Sequence, residues 1–307
     1  MDDVLDCVVV GGGPAGLTAG IYLGRYLRRF LIVDAGDPRA RWIPVSHNHP
    51  GFPAGISGDA LLARMREQAC AYGSVIVDAE VQTIERDGDL FVLGWDGRTV
   101  RARTVLLATG VKDVEPALPS SVFKAVKNGL LRICPICDGY EQTGKAVGVL
   151  GAGDKVVRET AFLKTYTDRL TVILLGEHDT LSDENRRDLA EMSVPVLETT
   201  ADKVRVAESK VLCFEDATGE RMEFDTVYSA LGTAPRGRLA WDLGAVVADD
   251  GRLEVNDHQM TSVDGLYAAG DLVRGLNQIN IAMGEAAIAT TDIHNRLRRL
   301  QAQPSSA

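Results

Sequence analysis

The chain opens on a continuous apolar run, Leu5 to Val10, rich in valine. It then passes through Gly11-Gly12-Gly13-Pro14-Ala15-Gly16 into an apolar pattern that lasts to Tyr26. A strand buried on both faces reads as an uninterrupted apolar stretch, and glycines at its end permit a sharp turn, so the predicted order is strand, turn, helix. A second short run, Phe30 to Val33, ends in Asp34 and completes a βαβ unit. Gly58 to Tyr72 sets Leu61, Leu62, Met65 and Ala69 at helical spacing. Val75 to Val105 alternates as a meander, with turns at Asp87-Gly88 and Asp96-Gly97. Leu106-Leu107-Ala108-Thr109-Gly110 reads as a strand running into a loop.

The pattern then restarts. Ala146 to Leu150 is another apolar strand, Gly151-Ala152-Gly153 another glycine turn, Asp154 to Tyr166 another helix and Leu170 to Leu175 the strand after it. The chain thus carries two dinucleotide-type βαβ units. Gly265 to Ala269 leads into Gly270-Asp271, Ile281 to Leu297 predicts a closing helix, and the tail Gln301 to Ala307 is expected to fray.

A length of 307 residues accommodates two α/β domains, and 45% hydrophobic with 25% charged residues is the composition of a globular, cytosolic protein. No run approaches membrane-spanning length. Met1-Asp2-Asp3 carries acid where a secretory leader carries base, so the mature chain is expected to start near Met1. A net charge of -10, with basic residues never in blocks longer than pairs, leaves no surface for a phosphate backbone and excludes nucleic acid as a partner. Five cysteines are too few and too unevenly spaced for a disulfide-stapled scaffold, which points to the reducing cytoplasm.

In the first turn Gly11 permits the bend, Gly13 lets backbone N–H groups approach a pyrophosphate, and Gly16 lets the helix sit close on the strand. Asp34 stands about twenty residues on, where a carboxylate accepts hydrogen bonds from a ribose diol. A lone glycine motif is weak; strand, helix and acid together favour a nucleotide over a structural turn. Cys134-Pro135-Ile136-Cys137 is the second signal. Cysteines separated by two residues open and close a small disulfide, and a helix start stabilises the thiolate. Half a zinc site is the rival, but Cys7, Cys70 and Cys213 have no partner at metal spacing, so the ligand count fails. Asp138 is placed to donate a proton to a departing thiolate, or to serve as a helix N-terminal acid. The histidines of Ser46-His47-Asn48-His49-Pro50-Gly51 are expected as solvated turn residues, His178, His258 and His294 as surface residues, and Glu184 to Asp188 as a solvated helix face.

These residues resemble the low-molecular-weight thioredoxin reductases, within the FAD-dependent pyridine nucleotide-disulfide oxidoreductase superfamily. The resemblance spans nearly the whole chain and rests on Gly11 to Gly16, Asn48 with Pro50-Gly51 and Gly58, Ala108-Thr109-Gly110, Cys134-Pro135-Ile136-Cys137-Asp138-Gly139 and Ala269-Gly270-Asp271. It implies an α/β fold of two Rossmann-like three-layer domains, the second inserted into the first. Residues 1–114 and 245–307 would form the FAD domain and 115–244 the NAD(P)-type domain that carries the cysteine pair. FAD would be held by Gly11, Gly13, Pro14, Ala15, Gly16, Asp34, Asn48, Thr109, Gly110, Gly270 and Asp271. The backbone near Val81 would meet the adenine, and Asn277-Gln278-Ile279 with Ala282 the flavin ring. Cys137 would face the flavin, Cys134 would exchange with substrate and Asp138 would be the acid and base. A homodimer is implied as well.

The second glycine turn departs from the family. Val156 stands where a third small residue is expected, Lys155 replaces a small polar residue, and the family's His-Arg-Arg, which grips the NADPH 2'-phosphate, corresponds to Leu174-Leu175-Gly176. A dianionic phosphate there lacks charge-assisted bonds of roughly 1.5–3 kcal/mol each. NADPH is therefore expected to bind poorly, with NADH through Glu177 left open. The reaction read from the chain is electron exchange between FAD and a thioredoxin-like protein or a small dithiol or disulfide, driven by a ferredoxin-type donor or drained by oxygen. The latter fits the dithiol oxidases that Asp34-Ala35-Gly36-Asp37-Pro38-Arg39 resembles. The rivals are an NAD(P)H-dependent thioredoxin reductase with an unusual nucleotide site and a non-catalytic redox sensor.

Overall fold

A computed structural model describes residues 4–116, 118, 122–176, 180–206, 212–216 and 218–302. The chain divides into two compact units, one of residues 1–41, 58–112 and 234–307, the other of residues 42–57 and 113–233.

In the first unit the strands Ile76–Asp78, Phe30–Asp34, Leu5–Val10 and Arg98–Leu107 lie side by side in that order, all parallel, and Leu266–Ala268 pairs in parallel with the end of the last. The expected meander, Thr83–Asp87 and Leu90–Trp95, continues the same sheet by antiparallel pairing with the start of Arg98–Leu107. Successive strand residues face opposite sides, and here both sides are buried. Cys7, Val9, Ile32 and Leu106 pack with Ala19 and Leu23 of the helix Pro14–Arg25 and with Ala286 and Ile293 of the helix Ile279–Ala302. Val8, Val10, Val33 and Leu107 pack with Phe91, Leu93 and Leu253 on the other side. That two-sided burial is why the opening strand is apolar throughout.

The second unit repeats the plan. Its parallel sheet runs Val196–Thr199, Leu170–Leu175, Val147–Leu150, Thr226–Ser229, Leu131–Arg132, beside an antiparallel trio, Val204–Val206, Leu212–Glu215 and Arg221–Phe224. The helix after the second glycine turn is Gly153–Leu163, shorter than the periodicity implied, because the N–H groups of Thr165 and Tyr166 turn back to the Phe162 and Leu163 carbonyls.

Two boundaries differ from the sequence reading. Leu239, Ala240 and Ala245 are buried in the first unit's core beside Val10 and Leu253, so the second unit ends at Thr233 rather than at residue 244. The loop 42–57 groups with the second unit, where Trp42 packs against the core of Leu131, Leu150 and Val227. Among the described residues no helix is long and apolar enough to cross a membrane.

Candidate active site

The first turn is built by close approach. Gly11 has φ +112°, and a Cβ on it would stand 2.3 Å from the Ala108 carbonyl oxygen; a Cβ on Gly16 would stand 1.8 Å from the Gly11 oxygen. Strand, turn and helix are therefore held together by the absence of side chains. Gly13 is different, since a Cβ there would meet nothing nearer than Pro38 Cβ at 3.8 Å. Gly13 caps the helix with no side-chain hydrogen bond, Pro14 is its first residue, and its first turn carries no acid.

The other predicted residues of this unit converge on the same turn. Asp34 Oδ1 accepts from the N–H groups of Gly12 (3.0 Å) and Gly36 (3.1 Å), and its Oδ2 lies 3.6 Å from Arg66. Gly270, at φ +83°, would set a Cβ 3.3 Å from Ala15 and 3.4 Å from Ala282, so it sits between the starts of the first and last helices. Asp271 pairs with Arg39 at 3.0 Å, and the Gly270 N–H donates to Glu285 at 2.7 Å. The Thr109 hydroxyl donates to the Arg236 carbonyl (2.8 Å), and Gly110 takes φ +65°. Gln278 precedes Ile279, the first residue of the last helix, and the adjacent Asn277 Oδ1 is buried without a partner. Val81 turns its side chain into the core with Val10 and Val33. Asn48 belongs to the second unit, its Nδ2 donating to the Ile136 carbonyl at 3.4 Å.

Cys134 and Cys137 form a disulfide, their Cα atoms 5.3 Å apart. Cys134 caps the one-turn helix Pro135–Asp138 in extended conformation, Pro135 supplies the fixed φ of a first helical residue, and the Cys137 N–H closes the turn on the Cys134 carbonyl. Gly139 must be glycine, because a Cβ would meet the Pro135 oxygen and the Tyr166 ring at 2.6 Å each. Ile136, between the two cysteines, and Tyr140, three residues after them, are exposed.

Asp138 points inward. Tyr228 donates its hydroxyl to Asp138 Oδ1 at 2.6 Å, and the Arg132 guanidinium is ion-paired with Oδ2. Burial pushes the Asp138 carboxyl above the usual carboxylate range, against the pull of Arg132 and the Tyr228 hydroxyl. Burial likewise raises the Tyr228 hydroxyl, with the Asp138 charge adding to it. Arg132 and Tyr228 escape sequence reasoning. The available signals were a tyrosine in a strand buried at every position and an arginine two residues before the first cysteine.

A family model described as pyridine nucleotide-disulphide oxidoreductase matches residues 5–286. The chain belongs to that family. It is 32% identical over 300 residues to the thioredoxin reductase of Treponema pallidum, covering 94% of this chain and 96% of that one. To the thioredoxin reductase of Borreliella burgdorferi it is 29% identical, over 97% of this chain and 94% of the relative. The crystal structure of HlmI superposes with a TM-score of 0.86 at 30% identity, over 98% of this chain and 95% of that one. The protein is thus a thioredoxin reductase-like, flavin-dependent disulfide oxidoreductase with the expected pair of Rossmann-like domains.

Within this oxidoreductase the second glycine turn is furnished differently from the first. The Gly153 N–H donates to the Thr180 carbonyl at 3.0 Å. Asp154 occupies the first turn of the helix and accepts from Asn185 Nδ2 at 2.9 Å. Val156 is fully buried among Val149, Val172 and Tyr228, so the branched side chain has become part of the core. Leu174 is buried, and Gly176 follows Leu175 at φ +97°. Lys155 Nζ lies 3.8 Å from Glu159, whose carboxyl burial pushes up to about 7. Glu177 and His178 lie outside the described residues, as does the tail beyond residue 302.

One histidine expectation needs correction. His49 is 9% exposed rather than solvated, because its ring stacks on Phe52 at 5.5 Å. His294 is held by Arg28, which donates to its Nδ1 at 3.0 Å, and it stacks on Tyr26 at 4.5 Å. His258 and the charged face of the helix Asp183–Glu191 are exposed as expected.

Proposed function

We propose that this oxidoreductase passes electrons between FAD and a substrate disulfide or dithiol through Cys134 and Cys137, and that NADPH is not its ordinary donor. The observation that carries the reading is a bonded cysteine pair followed at once by a partly buried acid whose two oxygens are held by Arg132 and Tyr228.

FAD fits the first turn on three counts: the helix start after Gly13 with no side-chain cap and no acid, the carboxylate of Asp34 facing Gly12, and the unpartnered buried oxygen of Asn277 before the last helix. Gly11, Gly13, Pro14, Ala15, Gly16 and Asp34 would hold the adenosine and pyrophosphate. Thr109, Gly110, Gly270, Asp271, Gln278, Ile279 and Ala282 would hold the rest. When bound, the flavin supplies two-electron exchange with the disulfide. The chain's own residues do the sulfur chemistry. A substrate thiolate attacks Cys134, the sulfur of Cys137 leaves, and Asp138 gives it a proton; the reverse sequence reduces a substrate disulfide.

NADPH does not fit the second turn. Asp154 already places a negative charge at the helix start where a phosphate would lie, the Gly153 N–H is spent on Thr180, and Leu174, Leu175 and Gly176 offer no cation. Electrons would instead come from a ferredoxin-type donor, or leave to oxygen from a substrate dithiol. The substrate would be a thioredoxin-like protein or a small dithiol or disulfide, and the working form a homodimer in the cytoplasm. NADH through Glu177 is the second reading, since it needs no cation for a 2'-phosphate.

Anaerobic titration of the yellow protein tests the proposal. Dithiothreitol should bleach the flavin, and NADPH should bleach it slowly or not at all. Rapid stoichiometric bleaching by NADPH would overturn the donor assignment, and a flavin that ignores dithiol would overturn the role of the cysteines.

A further inference from the structure

We propose that Arg132 and Tyr228 are positioning residues that clamp the two carboxylate oxygens of Asp138 and so govern proton transfer to the sulfur of Cys137. The inference rests on the reading that Asp138 is the acid and base of the exchange. It adds two residues to that chemistry, one six positions before Asp138 and one 90 positions after it.

The strand register carries the argument. Leu131–Arg132 and Thr226–Ser229 are neighbouring parallel strands in which Tyr228 is the partner of Arg132. Residues paired across parallel strands project to the same side of a sheet, so guanidinium and phenol emerge together and meet one carboxylate. Tyr228 is fully buried, and its ring packs with Val149, Val156 and Val172, which fixes the hydroxyl. Arg132 Nε is buried without a partner, so the guanidinium's compensation for burial comes through its pair with Asp138. The main chain is held as well, with Gln142 Nε2 donating to the Asp138 carbonyl at 3.2 Å. An acid beside a reactive sulfur gains from being fixed, because general acid catalysis depends on geometry before strength.

A substrate thiolate forms a bond to Cys134 Sγ, the Cys134–Cys137 bond breaks, and its electron pair leaves on Cys137 Sγ, which takes the proton of the Asp138 carboxylic acid. The second substrate sulfur then displaces Cys134, so the substrate dithiol is oxidised and the pair reduced. Asp138, now a carboxylate, is held by two donors until it is reprotonated. The charged and titratable groups acting on it are Arg132 and Tyr228, which favour the carboxylate, and Glu141, which opposes it together with burial. Removing either donor leaves burial less opposed, so the proton is retained to higher pH.

The test is the pH dependence of anaerobic flavin bleaching in holoenzyme by dithiothreitol, at constant dithiothreitol thiolate. Asp138→Asn should lose roughly 10²-fold or more and abolish the alkaline limb. Tyr228→Phe, which keeps the core-filling ring, and Arg132→Met should each lose about tenfold, as expected for one strong hydrogen bond. Each should move the limb to higher pH, Arg132→Met further. Arg132→Lys should bring it back toward wild type. Alkylation of the dithiothreitol-reduced protein by iodoacetamide against pH should follow the same order without using the flavin signal. If Asp138→Asn loses the limb while Tyr228→Phe and Arg132→Met keep it in place, the clamp is overturned and the acid role survives. If Asp138→Asn keeps wild-type rate and profile, the acid role fails and the clamp with it. Should Arg132→Met not fold, Tyr228→Phe decides alone.

Discussion

Two glycine turns of the same chain each join a strand to a helix, and they differ in what stands at the helix start. Above Gly13 the helix Pro14–Arg25 presents N–H groups with no side-chain cap and no acid in its first turn. Above Gly153 the N–H of the turn is bonded to Thr180, and Asp154 supplies a negative charge of the chain's own. A helix N-terminus favours negative charge, and here the second turn carries an acid of its own while the first carries none. A dinucleotide fold therefore says where a phosphate could lie, and the residues at the helix start decide whether it does.

Four changes would break or sharpen that contrast. The largest effect is expected at the first turn: Gly11→Val puts a Cβ against the Ala108 oxygen, so the protein should lose FAD on purification and about 1–3 kcal/mol of stability, read by absorbance and urea denaturation. A comparable change is expected on the helix of the second turn. Glu159 has a folded pKa of about 7 against an ordinary 4.5, so the folded state binds its proton more tightly than the unfolded one. That contribution is intact below the ordinary value and is lost as pH rises through about 7. Glu159→Gln should then be more stable than wild type by about 2–3 kcal/mol above that range and equal to it in acid; a pH-independent difference would contradict the assignment. Next, Leu175→Arg should tighten NADPH about tenfold and leave NADH unchanged, measured by calorimetry, since only NADPH carries the 2'-phosphate. The smallest effect is Asp154→Asn, which removes the resident charge and should improve both nucleotides by roughly two- to fivefold.

Much of this was legible in the sequence because close packing leaves a strong trace. Gly11, Gly16 and Gly270 are fixed by backbone approach, and Leu5–Val10 is apolar throughout because its sheet is buried on both sides. Cys134, Cys137 and Asp138 are contiguous, so their chemistry could be read locally. Arg132 and Tyr228 could not, because they meet Asp138 through a strand register that joins residues almost a hundred positions apart. The boundary at residue 244 was misplaced for a similar reason. Leu239 and Ala245 have no local feature that says which of two cores they enter. At the second turn the departures at Lys155, Val156 and Leu174-Leu175-Gly176 are legible in the sequence, whereas the bond between Asp154 and Asn185 joins residues 31 positions apart and is not.

The central claim is that flavin and cysteine pair form one electron-exchanging system, and anaerobic reductive titration with dithionite tests it most directly. Wild-type protein should take up twice the electrons of the Cys137→Ser variant before the flavin is fully bleached, the excess residing in the Cys134 and Cys137 thiols. Equal uptake by the two proteins would contradict the account.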